Sequence, residues 1–170
     1  MEANKSRRRY FLTIAVAILL LGFWLMQSYS ASAQERTVNY TLTDLQYRDF
    51  ANANLEGTSL AGAEMRGADF HGANLRGTII TKGSFFNADL SGADLTSAFA
   101  DRVTFDKANL TDAIFTNAIL TSSTFFEAQI AGADFSDALV DRYQVKLMCE
   151  VATGVNSVTG VSSRDSLGCP

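Results

Sequence analysis

The sequence predicts an all-β solenoid, and two observations carry this prediction. Every fifth residue from Phe50 to Phe135 is large and apolar at 17 of 18 positions, with Ala100 the exception. From Ala53 onward the residue two before each of these is small in all but one repeat, where Val103 stands, and the repeat has no insertion or deletion. Helices have a period of 3.6 and strands a period of 2, so neither keeps every fifth residue on one face. A short fixed repeat instead indicates units that bury their apolar side by stacking on neighbours.

The repeat also predicts which positions face inward. If four five-residue units complete one square coil, residues twenty apart lie directly above one another in a column. The large residue and the small residue two before it then fill a narrow interior. The other three positions face water, and Asp, Asn, Glu, Ser, Thr, Arg and Gly dominate them.

The repeat unit itself resembles a known family. Segments 53–57 (Ala-Asn-Leu-Glu-Gly), 68–72 (Ala-Asp-Phe-His-Gly) and 93–97 (Ala-Asp-Leu-Thr-Ser) resemble the A(D/N)LXX unit of pentapeptide repeat proteins. That resemblance implies a right-handed quadrilateral β-helix over residues 48–140, with about 4.5–5 coils spaced by about 4.8 Å. It implies little about function, because one scaffold serves many purposes.

Residues 1–33 are predicted to be a signal peptide. A basic start at residues 5–9 precedes an apolar run at 10–26, and Ala-Ser-Ala at 31–33 matches the small-x-small cleavage pattern. The pair Arg8-Arg9 also resembles a twin-arginine export signal, although the usual following Lys is absent. The alternative is an uncleaved anchor, since seventeen apolar residues lie at the lower limit for a membrane-spanning helix. Both interpretations predict export.

The two ends of the solenoid are predicted to be capped, because an open end would expose an unpaired edge. Residues 34–47 alternate apolar and polar and are predicted to form an N-terminal cap strand. Residues 141–170 are predicted to form a helical C-terminal cap. The five-residue register stops after Val140, residues 141–152 show helical apolar spacing, and Gly154 would end the helix.

Both cysteines, Cys149 and Cys169, lie in this tail. In an exported protein an even pair usually forms a disulfide, and closing a loop of about twenty residues contributes roughly 3 kcal/mol. Metal binding and a reactive thiol are the alternatives, but no His lies near either Cys. The two-cysteine tail also resembles the extension of exported cyanobacterial and chloroplast-lumen pentapeptide proteins. That resemblance implies the thylakoid lumen or periplasm of a cyanobacterium-like host.

Composition argues against enzymatic and nucleic-acid-binding functions. After residue 33 the chain holds 10 basic and 17 acidic side chains, a net charge of −7, which disfavours phosphate binding. His71 is the one histidine of the sequence, and no Gly-rich phosphate loop is present. The usual nucleophile, zinc and P-loop arrangements therefore cannot be assembled. We predict a protein that is not an enzyme and has no cofactor.

A column of carboxylates is a weak candidate for a metal site. Asp49, Asp69 and Asp89 lie at twenty-residue intervals, which places them about 5 Å apart, and Asn109 continues the column. Asp side chains commonly bond the backbone of turns, which is the simpler explanation. A bound cation is the alternative.

A column of apolar residues is the stronger anomaly. Ile79, Phe99, Ile119 and Leu139 follow Ser59 at an outward position where polar residues are expected, and we call these four the apolar stripe. Such patches usually mark contacts. Two alternatives remain: the C-terminal helix covers the stripe, or a twist at Ala100 turns Phe99 inward. The remaining outward features are a basic column beside the stripe and two phenylalanines in another column: Lys82, Arg102 and Arg142; Phe86 and Phe126, with Asp106 between them.

These observations favour a non-enzymatic, exported, protein-binding module whose partner and process the sequence does not identify. A homodimer is one possible use of the stripe, and membrane contact is expected only through an uncleaved N-terminal segment. One alternative is a DNA-mimicking protector of topoisomerases, as found among pentapeptide proteins; acidic charge favours it and an export signal disfavours it. The other alternative is a cation-binding protein that uses the Asp column.

Overall fold

The corners of the coil recur every five residues and share one backbone conformation. The computed structural model describes residues 38–170, in which Thr43 N donates to Tyr40 O at 3.1 Å across the first corner. The residue before the closing donor, Leu42, has a φ of 55°, and its equivalents Lys82 and Asn87 have φ values of 60° and 56°. A closing hydrogen bond with a positive φ at the third position is typical of a type II turn.

Successive coils pair in parallel with an offset of twenty residues. Isolated bridges join Asn39 to Ser59 and Ser59 to Ile79, and this register continues up the coil. Two short strands, β1 (Ile119–Leu120) and β2 (Leu139–Val140), pair in parallel with Ile119 opposite Leu139. Because the offset is twenty residues, four five-residue units complete one turn, as the sequence predicted.

The interior is filled by columns of large side chains. Phe85, Phe105 and Phe125 stack with ring centroids 5.4 and 5.1 Å apart and ring planes within 10° of parallel. Phe115 and Phe135 stack in the same way at 5.0 Å. Across the interior the rings meet edge to face, the second geometry that aromatic pairs prefer. Each fully buried side chain of this size contributes about 1.5–3 kcal/mol.

At Gly83, one of the small inward positions has no room for a side chain. An added Cβ would come within 2.9 Å of the Ile80 carbonyl oxygen and 3.1 Å of Met65 Cε. Such distances are shorter than ordinary van der Waals contact, so a larger residue would displace these neighbours. The packing of this corner therefore favours Gly.

The predicted N-terminal boundary is wrong. Residues 38–47 do not form a separate cap strand, because Asn39 and Asp44 already bridge to the next coil and Leu45 is buried. Leu42 and Tyr47 make the repeat hard to recognise in this part of the sequence. Both are large residues at corner positions, where Gly or a polar residue usually stands. Their side chains lie over Gly62 and Gly67, where an added Cβ would approach to 2.7 Å. The predicted signal peptide, residues 1–33, lies outside the described residues.

The C-terminal tail forms two helices, and a disulfide links the first helix to the segment after the second. Helix α1 (Arg142–Val151) is followed by α2 (Ser163–Leu167), and Cys149 and Cys169 are bonded with Cα atoms 5.6 Å apart. The helix ends earlier than Gly154, at an extended Ala152. Gly154 instead packs on the coil, where a Cβ would lie 3.0 Å from Gly132 N. Within residues 38–170 neither helix has the length and hydrophobicity needed to span a bilayer.

Candidate interaction surface

The apolar stripe is an exposed column on one side of the coil. Bridges join Ile79 to Phe99, Phe99 to Ile119 and Ile119 to Leu139, so the four side chains follow one another at the strand spacing of about 4.8 Å. The exposed fractions are 47% for Ile79, 44% for Phe99 and 58% for Leu139, whereas Ile119 is half-buried. Inter-coil hydrogen bonds hold each residue in place, as at Phe99 N to Thr78 O (2.8 Å). The stripe is therefore a rigid apolar surface.

Neither alternative explanation of the stripe describes the structure. Helix α1 does not cover the column, because its upper member, Leu139, is the most exposed of the four. No twist turns Phe99 inward: Ala100 remains fully buried, and Ala100 N donates to Ile119 O at 2.8 Å as in other coils. The register therefore continues unchanged past the one small residue of the inward column.

A mixed but mainly basic edge borders the stripe. Lys82 and Arg102 are exposed at equivalent corners of successive coils, and Arg142 is exposed at the start of α1, beyond the repeat. Arg102 Nε lies 2.6 Å from Asp101 Oδ2. The pKa of the Asp101 carboxyl is lowered, because the Thr121 hydroxyl donates to it at 2.8 Å and the Arg102 guanidinium lies beside it. This edge presents a fixed carboxylate between cations rather than a uniform basic patch.

The second aromatic column separates into two environments. Phe86 is partly covered by cations, with the Arg66 guanidinium carbon 4.4 Å and Lys107 Nζ 5.8 Å from the ring centroid. Phe126 is exposed, and its backbone N–H donates to Asp106 Oδ1 at 2.9 Å. Only Phe126 therefore offers an open aromatic surface in this column.

The carboxylates of the Asp column accept hydrogen bonds from the backbone of their own turns. Oδ1 of Asp49, Asp69 and Asp89 each accepts the backbone N–H two residues later, in every case at 2.9 Å. Asn109 continues the column and donates to Asp89 Oδ1 at 3.1 Å. Within residues 38–170, no group of three His, Cys, Asp or Glu side chains is arranged to hold a metal ion. These contacts support the turn-bonding explanation of the column.

His71 also has a structural partner. Its ring Nδ1 lies 2.9 Å from Ser91 Oγ, one coil above, and the side chain is exposed. The Ser91 hydroxyl also donates to Asp89 Oδ1 at 2.6 Å, so His71 takes part in a side-chain hydrogen-bond network that links two coils.

Sequence reasoning missed Asn156, which fastens the tail to the coil. This buried side chain donates to the carbonyl oxygens of Asp112 (3.0 Å) and Gly132 (2.9 Å). Its Oδ1 accepts from the backbone of Val158 and Thr159. A lone Asn in a polar loop carries no periodic pattern, so nothing in the sequence distinguishes it from its neighbours.

Comparison with known proteins identifies the repeat. Residues 42–81, 84–121 and 105–139 match the family described as pentapeptide repeats, in 8 copies. A pentapeptide repeat protein from the Arabidopsis thaliana thylakoid lumen is 35% identical with a TM-score of 0.74, covering 76% of this chain and 90% of that one. The comparison with curated proteins found no match.

Two other solved structures are more distant. A pentapeptide repeat protein from Nostoc PCC 7120 is 22% identical with a TM-score of 0.48, covering 77% of this chain and 92% of that one. Full-length QnrB1, a plasmid-mediated fluoroquinolone resistance protein, is 22% identical with a TM-score of 0.50, covering 64% and 65%. The family implies the right-handed β-helix that the repeat unit predicted. The chain belongs to the pentapeptide repeat family.

Proposed function

We propose that this protein is an exported, non-enzymatic binding module that docks a partner protein on the apolar stripe. The observation that carries the proposal is a continuous column of four apolar side chains, in which Ile79, Phe99 and Leu139 are exposed and Ile119 is half-buried. Single exposed apolar residues are ordinary, whereas a continuous patch marks a contact. Because the backbone N–H of each stripe residue donates a hydrogen bond to the coil below, the stripe is already ordered and little ordering cost opposes binding. Proteins of this family generally act as structural or binding modules, which supports a role without catalysis.

Export is the second part of the proposal. The sequence of residues 1–33 has the order of a signal peptide, and a similar protein comes from a thylakoid lumen. The disulfide between Cys149 and Cys169 suits an oxidising compartment. In this proposal the rod has about 4.5–5 coils at the usual spacing, with the disulfide-linked tail as its upper cap.

The test is a paired capture experiment from the native exported compartment. The tagged full-length protein is compared with the double variant Ile79→Asp with Ile119→Asp. The matched control is Ser84→Asp with Thr124→Asp, which places the same charges two coils apart at outward positions on the adjacent side of the coil. We expect a partner that binds the wild type and the control but not the stripe variant, with all three equally folded by circular dichroism.

Two outcomes would remove the proposal. Equal capture by all three proteins would place the partner on another surface. A stripe-dependent complex that contains only this chain, seen by analytical ultracentrifugation, would make the stripe a homodimer contact instead.

A second candidate function is protection of topoisomerases by DNA mimicry. The net charge of −7 after residue 33 favours it, while the likeness to QnrB1 carries information about fold alone. Inhibition of DNA supercoiling by the purified protein, unaffected by the stripe variant, would favour this alternative.

A further inference from the structure

A groove lies between helix α1 and the uppermost coil. Its volume is about 480 Å³, within the usual range for ligand sites. Tyr143, Leu147 and Val151 of α1 form one wall, and Phe126, Ala128 and Ile130 of the coil form the other wall and the floor. Ile130 lies ten residues, or half a turn, from Leu120 and Val140. The groove is therefore on the side of the coil opposite the apolar stripe.

The floor of the groove is an edge of the coil that lacks its usual partner. One coil lower, Lys107 N donates to Phe126 O at 2.8 Å, Leu110 N donates to Gln129 O at 2.7 Å, and Ala108 O accepts from Gln129 N at 3.0 Å. The equivalent groups of the upper coil are the N–H groups of residues 127 and 130 and the carbonyl of residue 128. Among residues 38–170 none of these three has a hydrogen-bond partner.

On the neighbouring sides of the same coil, side chains of the tail accept hydrogen bonds from the upper backbone edge. Phe125 N donates to Gln144 Oε1 at 3.3 Å, and Phe135 N donates to Ser166 Oγ at 3.0 Å. The tail thus replaces the missing next coil on these sides with side-chain acceptors. Over the groove the tail supplies Tyr143, Leu147, Met148 and Val151. None of these side chains bonds the open edge, although Ala128 and Ile130 are buried residues whose backbone groups need partners.

We propose that this groove binds an extended apolar peptide segment of a partner protein, added as a further strand on the open edge. The edge offers donor, acceptor and donor over three residue steps, about 10 Å at 3.3 Å per residue, which matches a strand of three to five residues. The walls favour apolar side chains, and the rim carboxylate of Glu127 is paired with Lys107 Nζ at 3.4 Å. The end of a second rod does not fit, because α1 already lies across this end of the coil.

The chain provides the probe for this site. Residues 126–130 form the strand that occupies the equivalent edge one coil lower, so an acetylated and amidated peptide with the sequence of residues 124–132 is the test ligand. Its matched control carries an N-methyl group at the position equivalent to Gln129, which removes the hydrogen bond that the Ala128 carbonyl would accept. We expect the N-methyl peptide to bind roughly tenfold more weakly.

The measurement is amide hydrogen exchange and chemical-shift perturbation of the ¹⁵N-labelled full-length protein. In the free protein, we expect the amides of Glu127 and Ile130 to exchange faster than those of Lys107 and Leu110, and the peptide to protect them. Val151→Trp, which fills the mouth of the groove, should abolish these changes. Val158→Trp, an equally large substitution at an exposed position that does not line the groove, should leave them intact.

Four results would overturn the proposal. They are full protection of Glu127 and Ile130 in the free protein, no perturbation at millimolar peptide, equal binding of the N-methyl peptide, and binding of Nile red but not of the peptide. The last result would assign the groove to small apolar molecules. Because the stripe lies on the opposite side, Ile79→Asp with Ile119→Asp should still bind the peptide, so failure of one proposal does not decide the other.

Discussion

The hydroxyl of Ser123 donates a 2.6 Å hydrogen bond to the backbone carbonyl oxygen of Ala100, in the coil below. Ser123 Oγ in turn accepts a hydrogen bond from Val103 N at 2.9 Å. At other corners the N–H of the small inward residue bonds directly to the carbonyl three residues before, as Ala98 N does to Leu95 O at 3.0 Å. The corner after Ala100 is thus closed through a side chain of the next coil. At this corner the usual residue sizes are exchanged. Ala100 stands at an inward position that is otherwise large, and Val103 stands at one that is otherwise small.

Ser123→Ala should therefore destabilise the protein although it removes a single oxygen atom. The Val103 N–H and the Ala100 carbonyl are buried and would lose their partner, which costs about 1–3 kcal/mol. Urea unfolding followed by circular dichroism measures this loss. Ser84→Ala, on the outer surface of the same side, is the control and should change the unfolding free energy by less than about 0.5 kcal/mol. Equal effects of the two substitutions would show that the bridge contributes nothing.

Two adjacent isoleucines should differ sharply in their contribution to stability. Ile80 is fully buried and Ile79 is 47% exposed. Ile80→Ala should lower the unfolding free energy by about 2–5 kcal/mol, because it leaves a cavity in the core. Ile79→Ala should lower it by less than about 1 kcal/mol, since an exposed side chain leaves no cavity. A large loss at Ile79 in urea unfolding would mean that the stripe is covered within the protein.

The sequence predicts such contrasts because a fixed repeat of five ties each position to one direction. Ile79 and Ile80 are assigned outward and inward by counting alone, and the apolar stripe follows from the same count. Whether α1 covers the stripe depends on the direction that the chain takes after the repeat ends. The five-residue period does not predict that direction. The contacts of Asn156 and the groove over Ile130 are missed for the same reason, since both arise where the tail replaces a coil.

The disulfide should stabilise the tail. Cys149 and Cys169 close a loop with a sequence separation of 20, for which chain entropy predicts roughly 3 kcal/mol. Replacing both with Ser should lower the unfolding free energy by about this amount. A reducing agent should destabilise the wild type and have no effect on the double variant. Thermal melts with and without reductant provide the comparison, and an unchanged wild-type melt would contradict the prediction.

Calcium should not stabilise the protein through the carboxylate column. Oδ1 of Asp69 already accepts the backbone N–H of His71, and the same arrangement occurs at Asp49 and Asp89. Asp69→Ala should cost about 0.5–1.5 kcal/mol through loss of this hydrogen bond. Millimolar calcium should leave the melting temperature of the wild type unchanged, because ligand binding to the folded state alone would raise it. A rise that Asp69→Ala abolishes would restore the metal site.

Acid should destabilise the protein partly through Asp134. Burial raises the pKa of this carboxyl, but the Ser136 hydroxyl and amide, which donate to it at 2.6 and 2.8 Å, outweigh burial and leave the pKa lowered. A lowered folded-state pKa means that the unfolded chain takes up the proton first as the pH falls. The stabilisation is therefore complete above the ordinary value of about 3.9 and is lost as the pH drops through the folded-state value.

Asp134→Asn should accordingly reduce the loss of unfolding free energy between about pH 5 and pH 2.5. The amide oxygen can still accept from Ser136 but takes up no proton in this range. Asp137→Asn, which removes the same charge from an exposed corner, is the control for the change in net charge alone. Urea unfolding at a series of pH values gives the slope for each protein. Identical slopes for wild type and Asp134→Asn would show that this carboxylate is not among the groups whose protonation unfolds the coil.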